Sequence, residues 1–102
     1  MEFQLERRDG RLWASGDMTI YSAALMKQRM LAGMEGVDDD VLLDLSQVTE
    51  LDTCGLQILL LAERLAANEG RRLKLVEPSA ATREVLTLCG LDRLRAVSTR
   101  VA

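Results

Sequence analysis

Hydrophobic and polar residues alternate over the first 16 positions and then recur at helical spacing. Phe3 and Leu5 alternate with charged residues, and the Asp9-Gly10 pair that follows is typical of a β-hairpin turn. This pattern predicts two antiparallel strands, over about residues 2–8 and 11–16, the second ending at Gly16-Asp17. From Ile20 to Met34 the apolar residues follow steps of three and four, which predicts the first helix.

Strand and helix patterns then alternate through the middle of the chain. Val41–Leu45 reads as an apolar run, which predicts a strand covered on both faces. A short polar segment separates this strand from a long apolar helical pattern over about residues 54–68. Gly70 is expected to end that second helix.

The last third of the chain predicts one more strand and one more helix. Residues 72–76 alternate again, and a third helix is expected over about 80–89 with Ser79 as its N-cap. Residues 94–97 predict a short edge strand, followed by a loose tail over 98–102.

The predicted element order is ββαβαβα(β). Alternation of strands and helices is typical of an α/β fold in which helices pack against a mixed sheet, here of four to five strands. Right-handed crossovers would set the parallel strands side by side. The length of 102 residues fits one hydrophobic core, so we expect a single domain over residues 1–102.

Charge and composition exclude several classes of protein. The net charge is −3, from 16 acidic and 13 basic residues, and the arginines are dispersed, which argues against nucleic-acid binding. The longest apolar run, Ile58–Ala62, is too short to span a membrane. No secretory signal accompanies the two cysteines, so we expect a cytoplasmic protein.

The residues needed for common catalytic chemistry are missing from the sequence. There is no histidine, which removes the usual general base and the commonest metal ligand. No metal-binding spacing, P-loop or dinucleotide-binding motif occurs, and neither Cys54 nor Cys89 has a histidine partner. We therefore expect a protein that is not an enzyme and has no cofactor or metal.

Asp52-Thr53, at the entry of the second helix, is the most informative pair in the sequence. In the simpler interpretation these side chains cap the helix by accepting hydrogen bonds from its first N–H groups. In the other interpretation Thr53 also accepts a covalent phosphate, which the positive end of the helix dipole would tolerate. The residues alone leave both interpretations open.

The segment around this pair resembles the STAS family of bacterial anti-sigma factor antagonists. The family motif reads approximately D-L-S-x-V-x-x-x-D-S-S-G-L, and the matching residues here are Asp44-Leu45-Ser46, Val48 and Asp52-Thr53-Cys54-Gly55-Leu56. Weaker similarity extends over most of the chain, including Ser15-Gly16-Asp17-Met18, which resembles the turn after the family's second strand. The resemblance implies a small α/β protein that binds a serine/threonine-kinase anti-sigma factor until Thr53 is phosphorylated.

This sequence departs from the family pattern at three positions. Thr53 replaces the usual phosphorylated serine, Cys54 replaces the second serine, and Thr19 replaces an acidic residue that often contacts the kinase. A threonine at the switch position also resembles STAS subunits of lipid-transport ABC complexes and STAS proteins of chemotaxis clusters. The resemblance therefore leaves a constitutive scaffold, without phosphorylation, as an alternative.

The second helix predicts a partner-binding surface close to Thr53. Its apolar arc is wider than one packed face requires, and Leu56 and Leu60 flank a polar stripe that includes Gln57. An exposed Leu56–Leu60 pair would be a docking patch, unless another element covers both leucines. The expected partner-binding residues are Asp52, Thr53, Cys54, Gly55, Leu56, Gln57, Leu60 and Thr19. A further hypothesis is that the N-terminus of this helix binds a nucleotide.

Overall fold

Four strands form one mixed sheet in the computed structural model, which describes residues 1–95. The first two strands pair antiparallel, and the second, third and fourth pair parallel to their neighbours. The predicted mixed α/β sheet is therefore confirmed. In spatial order the strands are β1 (Gln4–Arg8), β2 (Arg11–Met18), β3 (Val41–Leu51) and β4 (Leu73–Val76).

Three α-helices connect and follow these strands: α1 (Ala23–Met34), α2 (Thr53–Asn68) and α3 (Ala80–Leu88). The helix predicted from Ile20 is divided into a single 3-10 turn, Ile20–Ser22, and α1. Ser79 caps α3 as predicted, because its hydroxyl accepts a hydrogen bond from the Thr82 N–H at 3.2 Å.

The core lies between one face of the sheet and the helices. Alternate residues of β2 are buried on that face, while the residues between them are half-buried on the opposite face. The methionines of α1 fill the space above β1 and β2, as their helical spacing predicts. The buried residues of β2 and α1 are Leu12, Ala14, Gly16, Met18, Met26, Met30 and Met34.

The strand predicted at Val41–Leu45 is longer and less apolar than expected. Asp44 interrupts the apolar run and is only 2% exposed, yet its carboxylate accepts hydrogen bonds from Arg11 Nη1 at 2.9 Å and from the Ser46 N–H at 2.8 Å. Leu42, which lies on the same face as Asp44, is half-buried. Both faces of residues 41–45 are therefore covered as predicted, but the strand is not fully apolar, because one of the buried positions holds a carboxylate.

β3 continues through the segment predicted to be a polar connection, and its pairing there contains two irregularities. The pairing with β2 shifts register between Asp44 and Gln47 and again between Val48 and Glu50. Each shift adds a residue to β3, so Leu45, Val48 and Leu51 are all buried although they lie three residues apart. The strand thus continues to Leu51 and delivers Asp52 to the start of α2.

The predicted end of β2 at Gly16-Asp17 is also wrong, since β2 continues to Met18. Gly16 has φ +85, and a side chain there would meet the Glu2 carbonyl oxygen at 2.3 Å. Glycine therefore permits a close approach of two backbone segments inside the strand rather than ending it.

The predicted edge strand over residues 94–97 is only partly within the described residues. Leu94 lies in a 3-10 turn, Asp92–Leu94, and Arg95 forms a single parallel bridge with Leu75 of β4. Residues 96–97 and the predicted tail, 98–102, lie outside the described residues.

Ser79, the N-cap of α3, is hydrogen-bonded directly to β3. The Ser79 N–H donates to the Leu45 carbonyl at 3.2 Å, and the Ser79 hydroxyl donates to the Val48 carbonyl at 2.8 Å. Because β4 ends opposite Asp44, the second half of β3 has no neighbouring strand on that side within the described residues 1–95. Ser79 and α3 take that place, so α3 packs against the part of β3 that leads to Asp52.

Candidate functional site

The junction of β3 and α2 is organised by the Asp52 carboxylate. Asp52 has an extended backbone and is the N-cap of α2. Its Oδ1 accepts hydrogen bonds from the Cys54 N–H at 2.9 Å and from the Gly55 N–H at 3.1 Å, and its carbonyl accepts from the Leu56 N–H at 3.0 Å. The capping predicted for this pair is therefore present, and Asp52 supplies it.

The same carboxylate also fastens the end of β2. Asp52 Oδ2 accepts a hydrogen bond from the Ile20 N–H at 2.9 Å, and the Asp52 N–H donates to the Met18 carbonyl at 3.2 Å. One side chain thus connects the 3-10 turn after β2 to the first turn of α2. The two segments form one surface because of this connection.

Gly55 allows α2 to approach β2 at this point. A Cβ at position 55 would lie 2.3 Å from the Met18 carbonyl oxygen and 2.5 Å from Leu51 Cδ1. Neither distance is compatible with a side chain, and the carbonyl belongs to the backbone and cannot rotate away. The glycine of the motif is therefore required by packing.

Thr53 is exposed at the first residue of α2. The N–H groups of Cys54, Gly55 and Leu56 are already bonded to Asp52, so the usual anion-binding donors of a helix N-terminus are occupied. A nucleotide phosphate would have to displace the Asp52 carboxylate, which counts against nucleotide binding here. The Thr53 hydroxyl, in contrast, can be reached by another protein.

Large apolar side chains are exposed beside Thr53. Ile20 is 61% exposed and Tyr21 is 96% exposed, and Leu60 on α2 is 36% exposed. Ile20 and Tyr21 were not among the predicted site residues, because the sequence pattern places them at the start of the first helix. The signal that could have identified them is a pair of large apolar residues at a helix start, where polar residues are common.

Comparison with protein families identifies the fold and its family. The family model described as "Mlab, STAS domain" matches residues 1–96, which is most of the chain. The chain belongs to the STAS family. No curated protein matches this STAS protein.

Solved structures of anti-sigma factor antagonists have the same fold. An anti-sigma factor antagonist from Mycobacterium paratuberculosis is 25% identical and superimposes with a TM-score of 0.75 over 97% of this chain and 86% of its own. SpoIIAA in its unphosphorylated form is 18% identical, with a TM-score of 0.73 over 96% of this chain and 89% of its own. A serine-to-glutamate variant of RsbS from Moorella thermoacetica is 23% identical, with a TM-score of 0.64 over 99% and 89%.

Two of the side chains expected to bind a partner are buried in this STAS protein. Leu56 is 6% exposed and Thr19 is 7% exposed, so neither side chain offers a contact surface. The predicted exposed Leu56–Leu60 pair is wrong for Leu56, because α2 is rotated so that Leu56 packs into the core. Thr19 is covered where the chain turns from β2 into the 3-10 turn.

The remaining expected residues divide into a surface stripe and a supporting loop. Thr53, Gln57 and Leu60 are exposed at steps of four and three residues, so they lie along one side of α2. Cys54 is half-buried, Gly55 is buried, and both donate their N–H groups to Asp52. Asp52, Cys54 and Gly55 therefore shape the site, while Thr53, Gln57 and Leu60 face outward.

No group of three or more potential metal-binding side chains (His, Cys, Asp or Glu) comes together within residues 1–95. Over the same residues, the longest and most apolar helix still falls short of what a membrane crossing needs.

Proposed function

We propose that this STAS protein is a non-enzymatic, cytoplasmic regulatory module that binds a serine/threonine-kinase anti-sigma factor and is released when Thr53 is phosphorylated. The observation that carries the proposal is the position of Thr53. It is exposed on a helix start that the Asp52 carboxylate fixes in place, and the 3-10 turn bonded to the same carboxylate presents the exposed side chains of Ile20 and Tyr21. The structural similarity to anti-sigma factor antagonists supports this class of partner.

A phosphate on Thr53 would change the docking surface without disturbing the fold. It would add close to two negative charges at an exposed position. The nearby N–H groups are bonded to Asp52 and are not free to bind the phosphate. The phosphate would therefore remain exposed to solvent. A partner that covers Thr53 would have to desolvate or repel that charge, which disfavours the complex.

The first experiment maps the modified residue. We expect the purified protein, incubated with the partner kinase and ATP, to be phosphorylated at Thr53 alone when peptides are analysed by mass spectrometry. Thr49 and Thr87 are internal controls in the same peptides, because both threonines are exposed but donate their hydroxyls to Asp17 and Asp92. Phosphate on either control residue, with Thr53 unmodified, would contradict the proposal.

The second experiment measures binding of Thr53 variants to the same kinase. We expect Thr53→Glu to weaken the complex at least about tenfold, which corresponds to about 1.4 kcal/mol. Thr53→Ala should bind nearly like the wild type, because the substitution removes one small hydroxyl and adds no charge to the covered surface. Calorimetry of both variants separates the effect of charge from the loss of the hydroxyl.

A constitutive subunit of a larger complex is the second candidate function. The family model that matches the chain is described by the name Mlab and not as an anti-sigma factor antagonist, which favours keeping this alternative. In that case Thr53 would be a permanent contact without phosphate, for example on a subunit of an ABC transporter. Thr53→Ala would then weaken the complex, whereas in the first candidate it would not.

A further inference from the structure

The helix that begins at Thr53, α2, and the helix packed beside it, α1, differ in charge from the rest of the molecule. α1 contains Lys27 and Arg29 and no acidic residue, and α2 contains Arg64 and a single acid, Glu63. Glu63 is already paired with Arg93. The chain as a whole has a net charge of −3, so α1 and α2 form a basic region on an acidic protein.

Of these basic side chains, Arg64 lies on the stripe that carries Thr53, and Lys27 is exposed on the helix packed beside it. Arg64 is exposed and continues the stripe of Thr53, Gln57 and Leu60 by one further turn of α2. Lys27 is exposed on α1, which packs beside α2, and the exposed Leu31 lies one turn further along. Within residues 1–95 neither Lys27 nor Arg64 forms an ion pair.

The carboxylate closest to Thr53 in sequence is bound by backbone N–H groups. Asp52 accepts three N–H hydrogen bonds, from Ile20, Cys54 and Gly55, and is directed toward the backbone. The outer surface of α1 and α2 therefore combines exposed apolar groups with positive charge. We name this surface the helical docking face; it consists of Ile20, Tyr21, Lys27, Leu31, Thr53, Gln57, Leu60 and Arg64.

We infer that the helical docking face binds a partner surface that is apolar and acidic. The inference rests on the proposed function, because a phosphate on Thr53 releases the partner only if the partner surface does not bind negative charge favourably. A basic partner surface would pair with the phosphate and bind more tightly after modification. An acidic surface pairs with Lys27 and Arg64 before modification and is repelled by Thr53 phosphate afterwards.

The test uses two synthetic amphipathic helical peptides of identical leucine positions. One carries glutamate at every polar position, and the other carries lysine. We expect the glutamate peptide to bind the intact protein in fluorescence polarisation, with an affinity that falls at least about fivefold between low and high salt, as ion pairing requires. The lysine peptide should bind at least about tenfold more weakly.

Charge-reversal variants locate the binding surface. Lys27→Glu and Arg64→Glu should each lower the affinity for the glutamate peptide about three- to tenfold, whereas Arg83→Glu should leave that affinity unchanged. Arg83 is a matched control because it is an exposed arginine on α3, away from α1 and α2. Nuclear magnetic resonance spectra of each variant check that the fold is retained.

The outcomes separate the inference from the proposed function. Equal or tighter binding of the lysine peptide, no binding of either peptide, or equal effects of all three reversals would overturn the acidic partner. If Lys27→Glu and Arg64→Glu weaken the glutamate peptide but Thr53→Glu does not, the acidic partner stands and the phosphorylation switch fails. If Thr53→Glu alone weakens the kinase complex, the switch stands and the acidic partner is wrong.

Discussion

Gly55 is the residue whose replacement should lower the stability of the protein most directly. A methyl group in Gly55→Ala would meet the Met18 carbonyl oxygen, so β2 and α2 would have to move apart. We expect the free energy of unfolding to fall by about 2–3 kcal/mol, the upper part of the usual range of about 1–3 kcal/mol for overpacking. Urea denaturation followed by circular dichroism measures the change.

Gly33→Ala is the control for that substitution, since it is also a glycine-to-alanine change within a helix. The nearest atoms to a Cβ at position 33 are methyl groups of Leu5 and Leu12, at 3.0 Å and beyond, which can rotate. Alanine also favours a helix over glycine by about 1 kcal/mol. The change for Gly33→Ala should therefore stay within about 1 kcal/mol, and a loss equal to that of Gly55→Ala would contradict the packing argument.

The sequence was sufficient to identify the residues that shape the site, but not all of those that face a partner. Asp52 is recognisable because capping depends on local spacing, and Gly55 is recognisable because it belongs to the motif that resembles the STAS family. The burial of Leu56 is not, because a small rotation of α2 decides whether it or Leu60 faces the core. Ile20 and Tyr21 are exposed because the chain forms a 3-10 turn before α1, which periodicity does not distinguish from a helix start.

Among the elements, β3 illustrates where pattern reading fails. Its first half, Val41–Leu45, was predicted as a strand from its apolar run, whereas its second half was assigned to a connection. The two register shifts place buried residues three apart, so the period of two that identifies a strand is lost. The element order and the mixed pairing were predictable because they depend on which segments are strands and helices, not on their exact ends.

Asp44 maintains the first of these irregularities, and its removal should destabilise the protein. Asp44→Ala leaves the Ser46 N–H and the Arg11 guanidinium without their acceptor beside a buried position. We expect a loss of about 2–3 kcal/mol, because hydrogen bonds to a charged group are involved. Thermal or urea unfolding checks this value.

Asp39→Ala provides the comparison for the loss of one carboxylate. Asp39 is exposed, and surface substitutions of this kind change stability by no more than about 0.5 kcal/mol. Equal effects of the two substitutions would mean that Asp44 acts through net charge and not through its hydrogen bonds.

At the scale of the whole molecule, Asp40 joins the starts of two strands at the edge opposite Thr53. The pKa of the Asp40 carboxyl is lowered from its ordinary value of 3.8, first by the hydrogen bond from the Arg72 N–H at 2.9 Å and then by Lys74. A lowered folded-state pKa stabilises the protein above the unfolded value and loses that effect as the pH falls through the folded value.

We therefore expect the stability of the wild type to decline toward acid partly through Asp40. Asp40→Asn should be less stable than the wild type near neutral pH, and the difference should shrink as the pH falls below the ordinary pKa of the carboxyl. Urea unfolding at a series of pH values measures this difference. A difference that stays constant or grows toward acid would show that Asp40 acts through something other than its charge.

The attachment of Ser79 to β3 has a consequence for how copies of the molecule meet at high concentration. A long strand that outruns its neighbour leaves a row of bare carbonyl and amide groups, which other chains can extend into intermolecular sheets. Here the hydroxyl and N–H of Ser79 occupy two of the carbonyls beyond the end of β4, and α3 shields the rest. The fold can therefore extend β3 as far as the start of α2 without creating an exposed edge that promotes aggregation.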